Sequence, residues 1–405
     1  MYVPQYPDAA WFDLSGGDDL TELKKKTSLF DFFSGLDYAT VIPAVIASAY
    51  GLLLVYSATY SSLKEGQKIS SSLLAMFITV AGGIVMAMIL SRINYEVISK
   101  LWPIIAVGCV LLMILTFFIG VAPSDRDTAK SWIKIGSFTI QTSELMKVGF
   151  IISFSYHLDL VKDKINKIKV ILPLVVHGLI PIGLCILTGD AGSALIFMIM
   201  FIGMLFMAKI NIGYFIAGFC GIIVAFMAAW KLHIISGIQR QRIVALFYPD
   251  RYEDVMYQQS NGKIAIGSGG LFGQGFLQGK MTQSGAVPVN QSDMILTVAG
   301  EEFGFVGAIA VILLLTILIL RVITVGLKAR DNVGYLMCMG VSIMLFAQLL
   351  VNVGMELSLL PCIGITLPLF SSGGSSSLSI YLALGIVLSV YRYSKNQKDA
   401  LFYTE

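Results

Sequence analysis

The segment Pro288-Val289-Asn290-Gln291-Ser292-Asp293 ends a long polar stretch that begins at Lys231, and a strongly apolar run follows at Met294. An apolar run also precedes the stretch, so two apolar segments are joined by a loop that ends in an acid. Seven glycines lie between Gly262 and Gly279. The basic residues of the stretch are Arg240, Arg242, Arg251, Lys263 and Lys280. A carboxylate facing a basic loop at a membrane surface suits chemistry on an anionic lipid.

The composition places the rest of the chain in a bilayer. Of the 405 residues, 56% are hydrophobic and 13% are charged, whereas soluble domains contain about 25% charged residues. The sequence therefore predicts an integral membrane protein. A formal net charge of +3 is too small to indicate nucleic acid as a partner.

The cysteines and histidines do not predict a metal site. None of the five cysteines forms a Cys-x-x-Cys motif, and the three histidines are far apart in the sequence. We interpret the cysteines as structural thiols. The spacing of the cysteines and histidines therefore identifies no metal ligands, and the ligands of any metal stay unknown.

Apolar windows of about 20 residues predict an all-α integral membrane protein with ten transmembrane helices. A long extracellular loop, residues 231–293, separates spans 7 and 8. The domain prediction is a cytoplasmic N-terminal tail at 1–36, a membrane domain at 37–394 and a cytoplasmic C-terminal tail at 395–405. The predicted spans are 38–60, 69–91, 100–121, 139–158, 168–188, 191–208, 212–230, 294–320, 332–354 and 374–393.

The distribution of Lys and Arg predicts the orientation. With both termini in the cytoplasm, 16 of these residues lie on the cytoplasmic side and five lie in the short outer loops. Cytoplasmic loops carry the excess of positive charge in membrane proteins. The long loop therefore lies outside, where ATP is absent, and a reaction there needs an activated substrate.

Two charged residues fall inside the fourth predicted span. Glu144 and Lys147 are three residues apart, so they share a helical face and can pair. Charges at membrane depth are costly unless they are paired or face a wet cavity. One alternative is a structural ion pair, and the other is that Lys147 lines a cavity and binds a phosphate or an acid.

Asp190 and Asp293 each precede an apolar run. Such a residue can cap a helix, because its carboxylate accepts hydrogen bonds from free backbone amides. Capping is the main interpretation for Asp190. For Asp293 the competing interpretation is a general base at the membrane boundary, where partial desolvation tunes a carboxylate.

Three further polar patterns are candidates for binding. Arg240 and Arg242 would lie on one side of an extended segment and suit phosphate contacts; the alternative is a solvated basic stretch. The run Gly267–Gly275 could form a backbone anion nest or simple turns. Adjacent Glu301 and Glu302 predict that at least one faces a cavity or a cation.

Taken in order, these motifs resemble the SEDS family of RodA, FtsW and SpoVE proteins over roughly Asp37 to Ser394. The arginine pair and the Gly-Ser-Gly-Gly-Leu segment look closest to the RodA elongation branch. The segments that carry the resemblance are Tyr56–Thr59, Trp132–Gly136, Gln141–Glu144 with Lys147, Gly189–Ser193, Gln239–Ile243, Lys263–Leu271, Gly300–Gly307 and Ser371–Ser376.

The resemblance implies a peptidoglycan glycosyltransferase in a bacterial plasma membrane, one that polymerises lipid II. It makes Asp293 the catalytic residue. The usual Pro-Glu-x-His-Thr-Asp reads Pro-Val-Asn-Gln-Ser-Asp here, with Val289 and Gln291 in place of Glu and His. The residues expected to bind substrate are Arg240, Arg242, Lys147, Lys263, Glu144 and Ser292. No cofactor is required by the motifs, and a divalent cation such as Mg²⁺ or Mn²⁺ stays an open alternative.

The family also implies partners and leaves rivals. Membrane lipids surround the chain, and a class B penicillin-binding protein, a single-span transpeptidase, is the expected protein partner. A transporter of lipid-linked precursor would also explain Glu144 and Lys147 inside the membrane. A scaffold for elongation or division proteins is the third hypothesis.

Overall fold

A computed structural model of the chain describes residues 35–63, 66–122, 131–136, 138–233, 235 and 237–402. The fold divides after Leu36, and the unit Asp37–Glu405 is the one discussed below. The predicted N-terminal tail therefore lies outside the described residues, apart from its last two positions.

The described part of the chain is built almost entirely from helices. In chain order the helices are α1 (Tyr38–Tyr60), α2 (Ser71–Leu90), α3 (Tyr95–Lys100), α4 (Trp102–Ile119), α5 (Thr142–Leu160), α6 (Ile168–Leu187), α7 (Ala191–Met207), α8 (Ile212–Lys231), α9 (Gly237–Ala245), α10 (Glu253–Ser268), α11 (Lys280–Gln283), α12 (Ile295–Glu302), α13 (Gly304–Leu327), α14 (Asn332–Glu356) and α15 (Gly374–Phe402). Two 3₁₀ turns, Lys162–Lys164 and Pro249–Arg251, complete the helical elements.

The predicted helical membrane fold is confirmed. Eight helices within the described residues are long and apolar enough to cross a bilayer: α1, α2, α4, α6, α8, α13, α14 and α15. The other two predicted spans correspond to α5 and α7. Helix α7 has 17 residues, and α5 carries several polar and charged side chains. The count of ten spans therefore stays a prediction.

A β-hairpin precedes α5 and was not predicted. Strands β1 (Trp132–Ile135) and β2 (Phe138–Gln141) pair antiparallel, with Trp132 opposite Gln141. Gly136 lies between them at φ +61°, a backbone conformation that glycine adopts without steric cost. The fourth predicted span therefore begins as a helix at Thr142 rather than at residue 139.

The eighth predicted span is two helices rather than one. Helix α12 ends at Glu302 and α13 begins at Gly304, where φ is +69°. A Cβ atom at Gly304 would lie 2.4 Å from the Gly273 nitrogen. The break thus depends on glycine both for its left-handed backbone and for the close approach of the loop.

Burial differs sharply among the long helices. Most residues of α14 are buried, whereas none of the residues of α8 is buried. Helix α14 packs against α5, α7, α13 and α15. It is therefore the central helix, and most of the polar residues on it are buried. Helix α15 continues to Phe402, past the predicted end of the last span at residue 393.

Candidate active site

Asp293 lies directly before α12, in a segment that the bundle buries. The residue is 8% exposed. The N-cap position of α12 belongs to Met294, and no side-chain cap hydrogen bond is made there. Asp293 is therefore not the N-cap residue of α12.

The backbone around Asp293 is held by side chains from other elements. Asn352 Nδ2 donates to the Asp293 carbonyl oxygen at 2.8 Å and to the Ile365 carbonyl oxygen at 2.8 Å. Ser371 Oγ donates to the Ser292 carbonyl oxygen at 2.5 Å. These bonds tie the segment to α14 and to Ser371, which lies before α15. Ser371 begins the segment Ser371–Ser376, one of those that carry the family resemblance.

The sequence analysis missed a second acid in this region. Glu356, the last residue of α14, is 0% exposed, and its Oε1 accepts from the Leu296 amide at 3.2 Å. Glu356 also interacts electrostatically with Asp293. The residue sits at the end of an apolar run, and an isolated acid there was the signal that could have revealed it.

The long loop is folded onto the bundle. Gln259 on α10 donates to the Met355 and Leu360 carbonyl oxygens at 2.7 and 2.8 Å. Gly262 lies against Met294 and Thr297, because an added Cβ would come within 3.0 Å of both side chains. Helix α10 thus packs directly behind the Asp293 segment.

Arg240 and Arg242 lie on helix α9 and not on an extended segment. The Arg242 guanidinium donates to the Cys362 carbonyl oxygen at 2.7 Å. The Arg240 guanidinium stacks over the Trp230 ring at 4.5 Å from its centroid. Lys263 is exposed on α10. The Ser292 hydroxyl donates to the Val289 carbonyl oxygen at 3.5 Å.

Of the two alternatives for Gly267–Gly275, the structure favours turns, because several amides of this run already have partners. The amides of Gln274 and Gly275 donate to the carbonyl oxygens of Glu301 and Glu302 at 2.9 and 3.1 Å. A Cβ at Gly273 would lie 2.1 Å from the Glu302 carbonyl oxygen. The glycines serve close packing against the end of α12.

Glu301 and Glu302 hold protein groups. Glu301 accepts from the Met281 amide at 2.7 Å and from the Thr282 amide at 2.8 Å. Glu302 Oε1 accepts from the Ser57 hydroxyl at 2.6 Å. The pair therefore fastens α11 and α1 to α12. Within the described residues, no three His, Cys, Asp or Glu side chains are grouped to hold a metal ion.

Glu144 and Lys147 form the predicted ion pair. Lys147 Nζ lies 2.8 Å from Glu144 Oε1, and the lysine is 1% exposed. Ser379 on α15 donates to Glu144 Oε2 at 2.9 Å. This burial favours the structural alternative, since the ammonium group already has a carboxylate partner and is sealed from solvent.

Asp190 is confirmed as the N-cap of α7. Its Oδ1 accepts from the Ser193 amide at 2.9 Å. Its Oδ2 accepts from Gln141 Nε2 at 2.8 Å, from Ser193 Oγ at 2.8 Å and from Ser143 Oγ at 3.1 Å. Asp190 therefore joins α7 to the start of α5.

A polar cleft of about 360 Å³ opens beside the segment that leads to Asp293. Its walls come from the end of α1, the start of α2 and the loop after α11, and no charged side chain lines it among the described residues. The lining residues are Ala58, Thr59, Ser61, Ser62, Leu63, Gln67, Ser70, Ser71, Ser72, Thr282, Gly285, Val287, Pro288, Val289, Asn290 and Gln291. Hydroxyl and amide groups of this kind suit an uncharged polar ligand.

The fold and the site define a multi-pass helical membrane protein with a buried acid at one end of its bundle. The family model FTSW_RODA_SPOVE, described as cell cycle protein, matches residues 38–396, and the chain belongs to this family. The resemblance to SEDS proteins is thereby confirmed.

Curated relatives come from all three branches of the family. A probable peptidoglycan glycosyltransferase FtsW from Trichlorobacter lovleyi is 30% identical over 87% of this chain and 92% of the relative. Stage V sporulation protein E from Bacillus subtilis is 29% identical over 89% and 98%. Peptidoglycan glycosyltransferase MrdB from Escherichia coli K12 is 28% identical over 85% and 91%. These similar identities leave the RodA branch a prediction.

Solved structures show the same fold. One of them is a chain from a structure that describes polymerization and crosslinking by a peptidoglycan synthase complex. It superposes with a TM-score of 0.74 at 22% identity, over 89% of this chain and 98% of that chain. The rod shape determining protein RodA of Thermus thermophilus gives a TM-score of 0.66 at 23% identity, over 89% and 98%.

Proposed function

We propose that this protein is a peptidoglycan glycosyltransferase that polymerises lipid II into glycan strands and releases undecaprenyl pyrophosphate. The names of the FtsW and MrdB relatives support the reaction class. The observation that carries the proposal is Asp293, a residue that is 8% exposed and lies two positions after Gln291, the last residue lining the polar cleft.

Asp293 acts as the general base in this reaction. It takes the proton from the sugar 4-hydroxyl of the acceptor, and that oxygen attacks the anomeric carbon of the donor. The bond from that carbon to the diphosphate breaks, and undecaprenyl pyrophosphate leaves with the electron pair. A base must lie within hydrogen-bond reach of the proton it removes, so a fixed backbone at Asp293 favours this role.

Cations near the site stabilise the charge that develops on the leaving diphosphate. Lys263 is exposed, and it lies on the same helix as Gly262, which touches the Asp293 segment. Arg240 and Arg242 would have to give up their contacts with Trp230 and Cys362 to reach a phosphate. Lys147 and Glu144 are left out of the proposed site because they are buried against each other.

A member of this family is expected to work with a transpeptidase at the outer surface of the plasma membrane. One of the solved relatives comes from a peptidoglycan synthase complex that polymerises and crosslinks. We assign a class B penicillin-binding protein as the partner of this chain.

The Lys/Arg distribution supports the orientation. Both termini lie in the cytoplasm of a bacterium, and the Asp293 end of the bundle faces outward.

The decisive experiment is polymerisation of lipid II by purified protein in detergent, where no transport across a membrane is possible. Asp293→Ala should lower the rate by about 10²–10⁴-fold, the usual contribution of a general base. Asp254→Ala is the matched control, because Asp254 is an exposed carboxylate of the same loop. A folded Asp293→Ala that makes polymer at the normal rate would exclude the proposed base.

The same assay separates the rivals. A transporter or a scaffold makes no polymer in detergent, whereas the proposed enzyme does. Parallel reactions with and without EDTA determine whether a divalent cation contributes to the rate.

A further inference from the structure

Three polar residues follow one another along a single face of α14. Gln348, Asn352 and Glu356 are four residues apart, so their side chains lie one above another. All three are at most 1% exposed. Buried polar side chains are costly in an apolar core, so their presence on the central helix requires an explanation.

Asn352 fixes one point of the Asp293 segment. Its amide nitrogen donates to the Asp293 carbonyl oxygen and, at the same distance of 2.8 Å, to Ile365 in the strand-like segment before α15. A leucine of similar size would leave both buried carbonyl groups without this donor. The side chain therefore sets the position of the peptide group that carries Asp293.

Glu356 fixes a second point, one helical turn further along α14. Its carboxylate accepts from Leu296, whose amide belongs to the first turn of α12. The N-terminus of a helix carries partial positive charge and free amides, which compensate part of the cost of burying a carboxylate. Glu356 thus caps α12 from another helix, since Met294 supplies no side-chain cap.

The two contacts hold the chain immediately after the Asp293 side chain, at its own carbonyl group and three residues later. Asn352 holds the carbonyl group of residue 293, and Glu356 holds the amide of residue 296. A cap from the helix's own N-cap residue would stabilise α12 without burying an acid. A cap that comes from α14 additionally fixes the start of α12 relative to the centre of the bundle.

We propose that Asn352 and Glu356 form a clamp that positions Asp293 for proton abstraction. The clamp rests on the proposed function, because it acts through the general base and does not touch the substrate. Catalysis depends steeply on alignment, and a shift of about 1 Å can cost about 100-fold in rate. Loosening the clamp is therefore expected to lower kcat and to leave KM for lipid II nearly unchanged.

The test compares five variants at one face of α14. Glu356→Leu and Asn352→Leu remove the clamp at similar volume. Glu356→Gln keeps an oxygen that accepts from Leu296, and Glu356→Asp keeps the carboxyl group but shortens the reach. Gln348→Leu is the matched control, because it removes an equally buried amide from the same face one turn before Asn352.

The measurements are kcat and KM for lipid II polymerisation, together with the thermal unfolding midpoint. The value of kcat is calculated per protein molecule that binds lipid II. Both clamp-removing leucine variants should lose about 10- to 100-fold in kcat. Glu356→Gln should stay within about threefold of the unmodified protein and exceed Glu356→Asp. Gln348→Leu should lower the unfolding midpoint while its kcat per binding-competent molecule is retained.

Several outcomes would overturn the clamp. It fails if Glu356→Leu has normal kcat, if the loss appears in KM, or if Glu356→Asp is as active as Glu356→Gln. The Gln and Asp variants keep the test decisive even where a leucine variant does not fold. Asp293→Ala in the same assay separates the two ideas: an active Asp293→Ala refutes the base, whereas an inactive one beside a normal Glu356→Leu refutes the clamp alone.

Discussion

Asp190 and Asp293 look alike in the sequence, since each is an acid placed just before an apolar helix. In the structure Asp190 accepts hydrogen bonds from four donors on Gln141, Ser143 and Ser193. The backbone carbonyl group of Asp293 accepts from Asn352, and the helix that follows is capped by Glu356. Asp190 thus caps its own helix and joins it to α5, whereas the helix after Asp293 is capped by a residue of another helix.

The difference shows how one residue type serves structure at one helix start and chemistry at another. A carboxylate saturated with donors is stabilised as an acceptor and makes a poor base. An acid whose backbone is fixed by contacts from neighbouring helices can be held in the alignment that proton abstraction needs. Substitutions in the Asp190 region should therefore act on stability, and substitutions around Asp293 should act on rate.

The largest effect on stability is expected from Lys147→Met in the Asp190 region. The change leaves Glu144 charged and buried without its cation, and breaking a buried pair from one side costs about 3–5 kcal/mol. Thermal unfolding in detergent should show a much lower midpoint. Glu144→Gln combined with Lys147→Met removes both charges and should recover part of the loss. A single Lys147→Met with unchanged stability but no polymerisation would instead return Lys147 to the active site.

A smaller loss is expected from Asp190→Asn. The substitution places an NH₂ group where Oδ2 accepts from Gln141, Ser143 and Ser193. These donors then face a donor and lose their acceptor. Loss of such charge-assisted bonds should cost about 2–3 kcal/mol. Asp293→Asn is the matched counterpart, because it should leave the unfolding midpoint in place and lower the polymerisation rate. Equal rates for the two variants, per folded molecule, would contradict the contrast between the two acids.

Much of the fold was predictable because long apolar windows leave few alternatives in a bilayer. The Glu144–Lys147 pair and the Asp190 cap follow from local spacing alone, and both are confirmed. The break at Phe303 was not predictable, because it depends on Gly304 meeting Gly273 across about 30 intervening residues. The hairpin before α5 was hidden by its short strands.

The candidate site was predicted at Asp293 but not in its surroundings. Local reasoning offered capping as one alternative for Asp293, since a neighbouring acid is the usual source of a cap. The actual partner, Glu356, is 60 residues away in the sequence, and a tertiary contact of this kind leaves no periodic signal. The arginines were placed on an extended segment for the same reason, because the contact of Arg242 with Cys362 spans 120 residues.

A smaller loss of stability than that of Asp190→Asn is expected from Ser371→Ala, a change beside the Asp293 segment that tests the contrast from the other direction. The Ser371 hydroxyl accepts from the Leu367 amide at 2.8 Å and donates to the Ser292 carbonyl oxygen at 2.5 Å. Removing it should cost about 1–2 kcal/mol, the range for a buried hydrogen bond. The polymerisation rate should nevertheless fall by about tenfold, because the peptide group before Asp293 is released.

Ser193→Ala is the control for this variant, since it removes a hydroxyl of comparable burial from the Asp190 region. That hydroxyl donates to Asp190 at 2.8 Å, so its loss should lower the unfolding midpoint by a similar amount. Its rate per folded molecule should not change. If Ser193→Ala and Ser371→Ala lowered the rate equally, the hydrogen bonds around Asp293 would have no special part in catalysis, and rate would simply follow stability.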